Sequence, residues 1–506
     1  MKLKTGPTLK LIATTGLGLL LVGAPQIQAE EGGDKSALRR FFEQDYLLGD
    51  WGGLRTELRE EHGVDFEFMY AASVPSAIDG GLDEGSVYQG ALLMVMNVDT
   101  EKLGLWADGG FRASSLYMHS GDRFSPNYVG DLNQVSMLDF PDSFRLWELF
   151  YEHKFLDGKV SLKAGQLDIG LDFMMPEFYN SIGQVSFLNQ TFFFPTMAFN
   201  VYDQPGFPVG FHGLASTPYA SPGARLRVDF TPKVYAQVGG YDGNPDRSFS
   251  GTDFHLDGEE GALLYFELGY KNNQGESDTG LPGNFKVGGW YHTDEFFKAY
   301  DSYAWAFNNQ SALLIEANYP GMFPPGTMLT DLLAGSSIPF PSGWIAPSEQ
   351  SGNYGLYFLV DHTLWREQGA EDPAQQGLVG FFRASWAPPD RNLAEYGLDG
   401  GLVYKGLIPS RDWDTLGIAF SYLRISNDLR DAQDDLRAYL NLLDPGAGAV
   451  VPEADYEAVL EINYKFQMAA WWAVNLSAQR VFHPGGNVAA KVDDAWAFIV
   501  QTTLRF

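Results

Sequence analysis

Cysteine is absent from this sequence, so the chain can form no disulfide and offers no thiolate as a nucleophile or metal ligand. Beyond the N-terminus it has no apolar run of about 18 residues, the length that a membrane helix needs, which excludes a helical membrane protein. Basic residues are also few: 34 lysines and arginines stand against 64 aspartates and glutamates, and the net charge is −30. This acidic balance argues against a nucleic-acid partner.

Catalytic motifs are missing as well. The chain has no HExxH, P-loop or GxSxG pattern, and its eight histidines are scattered. Glu148 and Glu152 lie about 13 Å apart along a predicted strand, whereas the carboxylates of a retaining glycosidase lie about 5 Å apart. We therefore expect no enzyme, no cofactor and no metal site. An outer-membrane hydrolase and a secreted sugar-binding β-protein remain as alternatives.

The first residues have the pattern of a secretory signal peptide. Lys2, Lys4 and Lys10 precede an apolar stretch at 11–22, and a small-residue cleavage site ends at Ala29. An amphipathic stretch, LRTELREEH, then predicts a short helix that stops before the first strand. The predicted organisation is a signal peptide, a short periplasmic segment with a helix and a transmembrane barrel, at residues 1–29, 30–63 and 64–506.

The remaining sequence is dominated by a period of two, and this period runs to the last residue. In the closing segment DAWAFIVQTTLRF, large apolar side chains occupy one parity, as Trp496, Phe498 and Val500 show. Chain ends usually fray unless they are tied into a sheet, so this end is expected to be paired. Because the outward parity is also apolar, either a second sheet or lipid must cover it.

Runs with this alternation, bounded by turn residues, predict sixteen strands. They lie near 64–73, 85–98, 104–118, 143–154, 159–168, 223–231, 233–241, 260–271, 283–293, 352–365, 377–387, 396–407, 414–426, 455–467, 471–482 and 494–506. Long connections alternate with short turns, and no repeat of the propeller type is present. The predicted fold is all-β: a 16-stranded antiparallel transmembrane β-barrel, an outer-membrane porin with a short N-terminal helical segment.

Several motifs resemble those of the carbohydrate-selective porins of the OprB family: GDWGGLRTELREEHGV at 49–64, GFRASSLY at 110–117, RLWELFYEHKFLDGKVSLKAGQLD at 145–168 and GLYFLVDHTLWRE at 355–367. The resemblance implies a monomeric outer-membrane barrel that passes sugars passively. It also implies that the terminal aromatic, Phe506, is a signal read by the barrel-assembly machinery.

Charges of both signs occupy the parity that would face the lumen. Opposed acids and bases across a water channel offer donors and acceptors to a ligand covered with hydroxyls; the alternative is that these residues only brace the wall. Besides Arg112, the predicted pore-lining residues are Asp108, Arg225, Arg227, Lys286, Arg383, Glu457 and Glu461.

The family resemblance implies a constriction built from Arg112, Arg145 and Glu148. Parity supports Arg112, but Arg145 and Glu148 have opposite parity, so a bulge or a rim position is needed for both to point inward. The long connection 169–222, rich in aromatics, is the candidate for a loop folded into the lumen. Either Trp147 or Tyr202 is the expected stacking partner of a sugar ring; alternatively, the loop aromatics only anchor it to the wall.

These patterns together predict a Gram-negative outer-membrane porin through which glucose-like mono- and oligosaccharides diffuse into the periplasm. A general porin or a porin for anionic, acidic solutes is the alternative within the same fold. The expected partners are small sugars, outer-membrane lipid, lipopolysaccharide and the assembly machinery. The acidic stretch 427–436 lacks EF-hand spacing, and we interpret it as a solvated loop rather than a cation site.

Overall fold

The computed structural model describes residues 35–177, 186–195, 217–254, 261–275, 278–318, 320–367 and 376–506. The chain divides into two units, Met1–Gln44 and Asp45–Phe506. In the first unit, helix α1 spans Lys35–Glu43, and Arg39 forms an exposed ion pair with Glu43 at 2.7 Å. The predicted signal peptide lies outside the described residues.

In the second unit, seventeen antiparallel strands form one sheet. They are β1 Val64–Gly81, β2 Gly85–Ser86, β3 Gln89–Asp99, β4 Gly109–Ser120, β5 Ser143–Phe155, β6 Val160–Leu167, β7 Ser221–Thr231, β8 Val234–Asp242, β9 Ala262–Asn272, β10 Gly283–Phe297, β11 Glu349–Arg366, β12 Gly377–Trp386, β13 Ala394–Lys405, β14 Thr415–Ile425, β15 Tyr456–Ala469, β16 Trp472–Phe482 and β17 Asp493–Arg505. Because β2 has only two residues and pairs beside β1, sixteen longer strands form the wall.

The sheet closes between its first and last long strands. Strand β1 pairs with β3 on one side and with β17 on the other, where Met69 lies opposite Arg505 and Ala77 opposite Ala497. Closure leaves no sheet edge with unpaired backbone groups, which a bilayer requires of a spanning β-structure. The predicted 16-stranded antiparallel barrel is therefore confirmed, and the terminal strand is paired on both sides.

The two faces of the wall differ as the alternation predicts. In β17 the side chains of Phe498 and Val500 are exposed on the outside, while Ala497 and Ile499 are buried inside. Outward apolar side chains of this kind recur around the barrel, as in transmembrane β-barrels. No helix among the described residues is long and apolar enough to cross a membrane.

Short helices lie before the barrel and in its long connections. They are α2 Leu54–Glu61, α3 Gln190–Phe193, α4 Ala299–Asn318, α5 Leu329–Ser336 and α6 Asn427–Leu443, with further single turns at Trp51–Gly53, Ser125–Val129, Ile169–Leu171, Ser342–Trp344, Ala447–Val450 and Pro484–Asn487. Helix α2 confirms the helix predicted from LRTELREEH, and Gly63 behind it has a left-handed φ of 67°.

Helix α6 corrects the interpretation of the acidic stretch 427–436 as a loop. Leu429, Ala432 and Leu436 recur at helical spacing on its buried face. They pack in a hydrophobic core that contains residues of the long connections and of several barrel strands. The acidic residues occupy the other positions of an amphipathic helix. The acidic residues of 427–436 therefore form a solvated face, as predicted, but this face belongs to a helix and not to a loop.

A side chain from α2 fastens the seam of the barrel. The guanidinium of Arg55, which is buried, donates to the carbonyl oxygens of Phe66 and, at 2.7 Å, of Phe506. Its face lies 3.4 Å from the ring of Tyr46. The backbone N–H of Phe506 also donates to the carbonyl of Phe68 at 2.9 Å. Arg55 thus links the N-terminal segment to the first strand and to the chain end.

Candidate functional site

Strand β5 contains a β-bulge at Trp147. Ser114 of β4 pairs with Glu148 and Ser115 pairs with Leu146, so Trp147 has no partner residue across the ladder. A bulge adds one residue to one strand of a pair and thereby shifts the alternation of side chains beyond it.

The bulge resolves the parity conflict between Arg145 and Glu148. On a regular strand these two side chains would point to opposite faces. Both are buried inside the barrel, as is Trp147 between them. Of the two geometries that the sequence allowed, a bulge or a rim position, the structure contains the bulge.

Arg112 and Glu148 form an ion pair inside the barrel. The Nε of Arg112 donates to a carboxylate oxygen of Glu148 at 3.1 Å, and a terminal guanidinium nitrogen donates to the Oδ1 of Asn97 at 3.1 Å. The Arg112 side chain is 24% exposed, whereas that of Glu148 is 2% exposed. The carboxylate therefore lies behind the guanidinium, and the guanidinium is the part that a solute can reach.

Arg145 lies in a different environment. It donates to the backbone carbonyl of Asp246 at 2.5 Å, and its guanidinium lies 4.6 Å from the ring centre of Tyr219. It is also almost fully buried. These contacts join β5 to the ends of two long connections, so the described contacts of Arg145 are with loops rather than with Glu148.

Trp147 binds a buried carboxyl that the sequence analysis did not single out. Its indole Nε1 donates to Asp168 at 2.9 Å, and the same carboxyl accepts from the Thr217 hydroxyl at 2.6 Å and from the Gly170 backbone at 2.9 Å. Asp168 lies just after the end of β6 and is fully buried. Burial raises the pKa of the Asp168 carboxyl to about 8, and the nearby charge of Glu148 acts in the same direction.

Two wall carboxylates hold the long connections inside the barrel. Glu457 accepts from the backbone N–H groups of Leu132 and Asn133, both at 2.8 Å. Glu461, four residues along β15, accepts from Leu188 at 2.9 Å and Asn189 at 3.0 Å. Backbone N–H groups folded away from water need such acceptors, so these predicted pore-lining residues are covered by the loops that they bind.

Two wall cations do the same for backbone carbonyls. Arg383 forms a bidentate pair with Asp399 and donates to the carbonyl of Thr191 at 2.6 Å. Lys286 donates to the carbonyl of Met175 and to the carboxylate of Glu177, two residues of the same connection, both at 2.7 Å. Both cations are buried under the loop.

Arg225 and Arg227 lie on β7 with acidic neighbours. Arg225 is buried between Glu152 at 3.1 Å and Asp172 at 3.6 Å. Arg227 pairs with Asp229 at 3.1 Å and keeps a quarter of its side chain exposed. The two arginines therefore belong to a charged ladder along β5 to β7, and their role in lining the open pore stays a prediction.

Three other predicted residues lie away from the barrel interior or outside the described residues. Asp108 is exposed in the turn between β3 and β4 with a φ of 62°, so the structure corrects its placement on a lumen-facing strand. Phe506 follows β17 directly. Tyr202 lies outside the described residues, so its predicted stacking role stays a prediction.

The described parts of the connection after β6 lie inside the barrel. Phe187 and Phe192 pack against each other, with ring centres 5.1 Å apart, and against Phe381 of the wall. Phe193 and Phe194 are buried as well. Phe187 and Phe192 thus make the contacts expected of aromatics that anchor the loop to the barrel wall.

Sequence reasoning missed Asn97 and Asp168, although both left signals. The short turn between β3 and β4 fixes the register that places Asn97 opposite Arg112. Asp168 ends a strand and precedes Ile-Gly, and its carboxylate accepts from the glycine two residues on, as aspartates at the start of helical turns do.

One group of described side chains could surround a metal ion, namely Glu57, Glu61 and His62. All three are exposed on and after α2, outside the barrel. Exposed acidic groups are common without an ion, and we infer no metal site from them.

The arrangement is a closed barrel with an interior of paired charges and infolded loops, and comparison with known proteins gives its family. The family described as carbohydrate-selective porin, OprB family, matches residues 83–506. The chain belongs to the OprB family. The resemblance found in the sequence motifs is therefore confirmed.

Individual relatives agree with this assignment. The chain is 25% identical over 463 residues to Porin B of Pseudomonas aeruginosa, covering 89% of each protein. It is 24% identical over 489 residues to the putative porin QuiX of Acinetobacter baylyi, covering 92% of this chain and 94% of that one. Among solved structures, the high-pH structure of Pseudomonas putida OprB matches with a TM-score of 0.69 at 22% identity, over 92% of this chain and 99% of that chain, and supports the fold.

Membership of the OprB family, together with the closed barrel, indicates an outer-membrane carbohydrate porin of a Gram-negative bacterium, a channel rather than an enzyme. In a barrel of sixteen strands the wall encloses room for an aqueous path. Parts of two long connections lie against the inner wall, where Glu457 and Glu461 hold their backbone N–H groups.

Proposed function

We propose that this OprB-family porin lets small sugars, glucose-like mono- and oligosaccharides, diffuse passively into the periplasm past Arg112. The proposal rests on the exposure of Arg112 within an interior where Arg383 and Lys286 are covered. A guanidinium has five N–H donors. The described contacts of Arg112 use Nε and one terminal nitrogen, and the side chain is 24% exposed, so further N–H donors are available to a solute.

Energetics favour such a donor for a transient sugar contact. A hydrogen bond from a charged donor contributes roughly 1.5 to 3 kcal/mol, so two or three of them offset the loss of water without holding the sugar permanently. Glu148 behind Arg112 fixes the guanidinium and balances its charge. A neutral solute therefore meets a donor without crossing a region of uncompensated charge.

The Arg112→Ala variant tests this proposal. We expect block of ion current by glucose oligomers in planar bilayers to weaken several-fold, because the sugar loses its charged donor, and conductance to rise slightly. Ion selectivity should shift toward cations, since Glu148 then lacks its partner.

The matched control is Phe111→Leu, because Phe111 is the adjacent outward residue of β4. It should leave sugar block and selectivity unchanged. If sugar block and selectivity in Arg112→Ala equal those of the unmutated channel, Arg112 is part of the wall and does not filter sugars.

Other assignments are also proposals. We propose that the barrel is a monomer embedded in outer-membrane lipid and lipopolysaccharide, that residues 1–29 are a cleaved signal peptide, and that Phe506 is read by the assembly machinery. The link from Arg55 to the Phe506 carbonyl supports a structural role for the chain end. We also propose Trp147 or Tyr202 as the stacking partner of the sugar, and Trp147 lines a cavity inside the barrel.

A further inference from the structure

A mostly apolar cavity of about 130 Å³ lies inside the barrel beside β1, β3, β4, β16 and β17. Leu93 of β3 and Leu116 of β4 form one side, Trp147 lies at the bulge, and Phe140 and Phe193 come from the infolded connections. Sugar hydroxyls placed against such a lining would lose their hydrogen bonds to water without replacement. The cavity therefore suits a different kind of solute from the face that carries Arg112.

One cation, Lys465 of β15, lines the same cavity. Its side chain is only 8% exposed, and within the described part of the chain it makes neither a hydrogen bond nor an ion pair. The covered wall cations Arg383 and Lys286, in contrast, each have a carboxylate within 2.7 Å. A buried ammonium without a partner is unfavourable. An anion bound next to Lys465 would therefore stabilise its charge.

The surroundings of Lys465 do not supply that anion. Lys405 and Arg505 are near enough to interact with it electrostatically, and both carry the same sign of charge. No acidic residue lines the cavity among the described residues. The lining also contains the neutral polar residues Asn475, Gln501 and Thr503, which can donate hydrogen bonds.

We propose that this cavity binds a small monocarboxylate with an apolar ring, and that the carboxylate pairs with Lys465 while the ring lies against Leu93, Leu116 and Trp147. A cavity of about 150 Å³ lined by apolar side chains accepts a guest of the size of benzene, so the volume fits one ring. The proposal rests on the channel function above, and extends its substrates from neutral sugars to amphipathic acids.

Sodium benzoate is the probe, and the neutral benzyl alcohol is its matched comparison. On the folded barrel in detergent, calorimetry should show benzoate binding about tenfold more tightly than benzyl alcohol, the ratio expected for one charge-assisted bond. In planar bilayers, benzoate should reduce the current through open channels in a saturable way.

Three variants locate the binding. Lys465→Met should weaken benzoate binding about tenfold and remove the difference from benzyl alcohol, whereas Lys465→Arg should retain most of both. Leu116→Asn should weaken the binding of both benzoate and benzyl alcohol, because the ring of each loses an apolar contact. Lys159→Met, which removes an exposed lysine in the turn between β5 and β6, is the control and should change nothing.

The outcomes separate this site from the channel itself. If glucose oligomers block current but benzoate and benzyl alcohol bind equally in the unmutated protein, the carboxylate site is overturned and the sugar channel stands. If calorimetry shows the predicted benzoate binding while bilayers show no conductance, the channel function fails and the site stands. Should Lys465→Met not fold, judged by heat-modifiable gel mobility, the comparison of the two ligands and Lys465→Arg still decide.

Discussion

The barrel interior has two flanks that treat charge differently. We call the inward side chains of β8 to β12, with Glu457 and Glu461 of β15, the braced flank, because loop backbone covers them. We call the cavity lining of β1, β3, β4, β16 and β17, with Lys465, the open flank. In the first, each charge is satisfied by a loop or a neighbour; in the second, an apolar surface surrounds one unpaired cation.

This difference shows that the direction of a wall residue does not determine its function. Arg383 and Arg112 both point inward from the barrel wall, yet Arg383 is buried under a loop while Arg112 keeps about a quarter of its side chain exposed. A charge covered by a loop stabilises the loop, and a charge left uncovered is available to a solute. The inward charges of the wall therefore divide into those that a loop covers, such as Arg383, and those that keep exposed surface, such as Arg112.

The largest effect should follow from breaking the braced flank at Arg383. Arg383→Met leaves Asp399 as a buried charge without its partner and removes the donor to Thr191, and breaking a buried pair costs about 3 to 5 kcal/mol. We expect a clear fall in the temperature at which the folded band disappears in heat-modifiable gels. The control is the double variant Arg383→Met with Asp399→Leu, which should recover part of the loss. Equal stability of the single variant and the unmutated barrel would show that the pair does not brace the loop.

A smaller effect should come from Asp168, which binds Trp147 of the cavity lining. Because burial raises the pKa of this carboxyl to about 8, the folded state keeps the proton that the unfolded chain releases near its ordinary pKa of about 4. The stability contribution is therefore complete below about pH 4 and is lost as pH rises through about 8. Unfolding temperatures of the unmutated barrel should fall between pH 5 and pH 8, and Asp168→Asn should show a shallower fall. An unchanged pH dependence in the variant would remove Asp168 from this explanation.

The smallest effect should come from Glu461→Gln. The variant keeps the shape of the side chain but weakens its bonds to the Leu188 and Asn189 backbone, at a cost of about 1 kcal/mol. We expect nearly normal stability, but more current fluctuation in single-channel records, because the loop is held less firmly. Glu457→Gln, on the same strand, should not affect the 186–195 segment but should loosen 121–142. If neither variant showed more current fluctuation than the unmutated channel, the two glutamates of β15 would not hold the loops in place.

Much of the wall could be predicted from the sequence, because alternation is a local signal. The sixteen strands and the closed seam follow from parity and turn residues, and parity also exposed the conflict between Arg145 and Glu148 that a bulge or a rim position had to resolve. The helical connections could be predicted less well. In α6 the period of Leu429, Ala432 and Leu436 was present but was outweighed by the acidic composition.

The cover over the wall charges could not be predicted from the sequence. The bonds from Glu457 to Leu132 and from Glu461 to Leu188 join residues 325 and 273 positions apart. Strand parity gives the direction of a side chain but contains no information about which loop will reach it. For the same reason the isolation of Lys465 was not foreseen, since an unpaired charge is recognised only when every possible partner has been placed.

The Arg55 clamp has a consequence for the order of events in time. Its two acceptors, the carbonyls of Phe66 and Phe506, lie in the first strand and directly after β17, and they come together only when the sheet has closed. The clamp is therefore a late step that depends on every earlier strand having found its register. A nascent barrel with one strand misplaced cannot complete it, and helix α2 then lacks the anchor that the finished barrel provides.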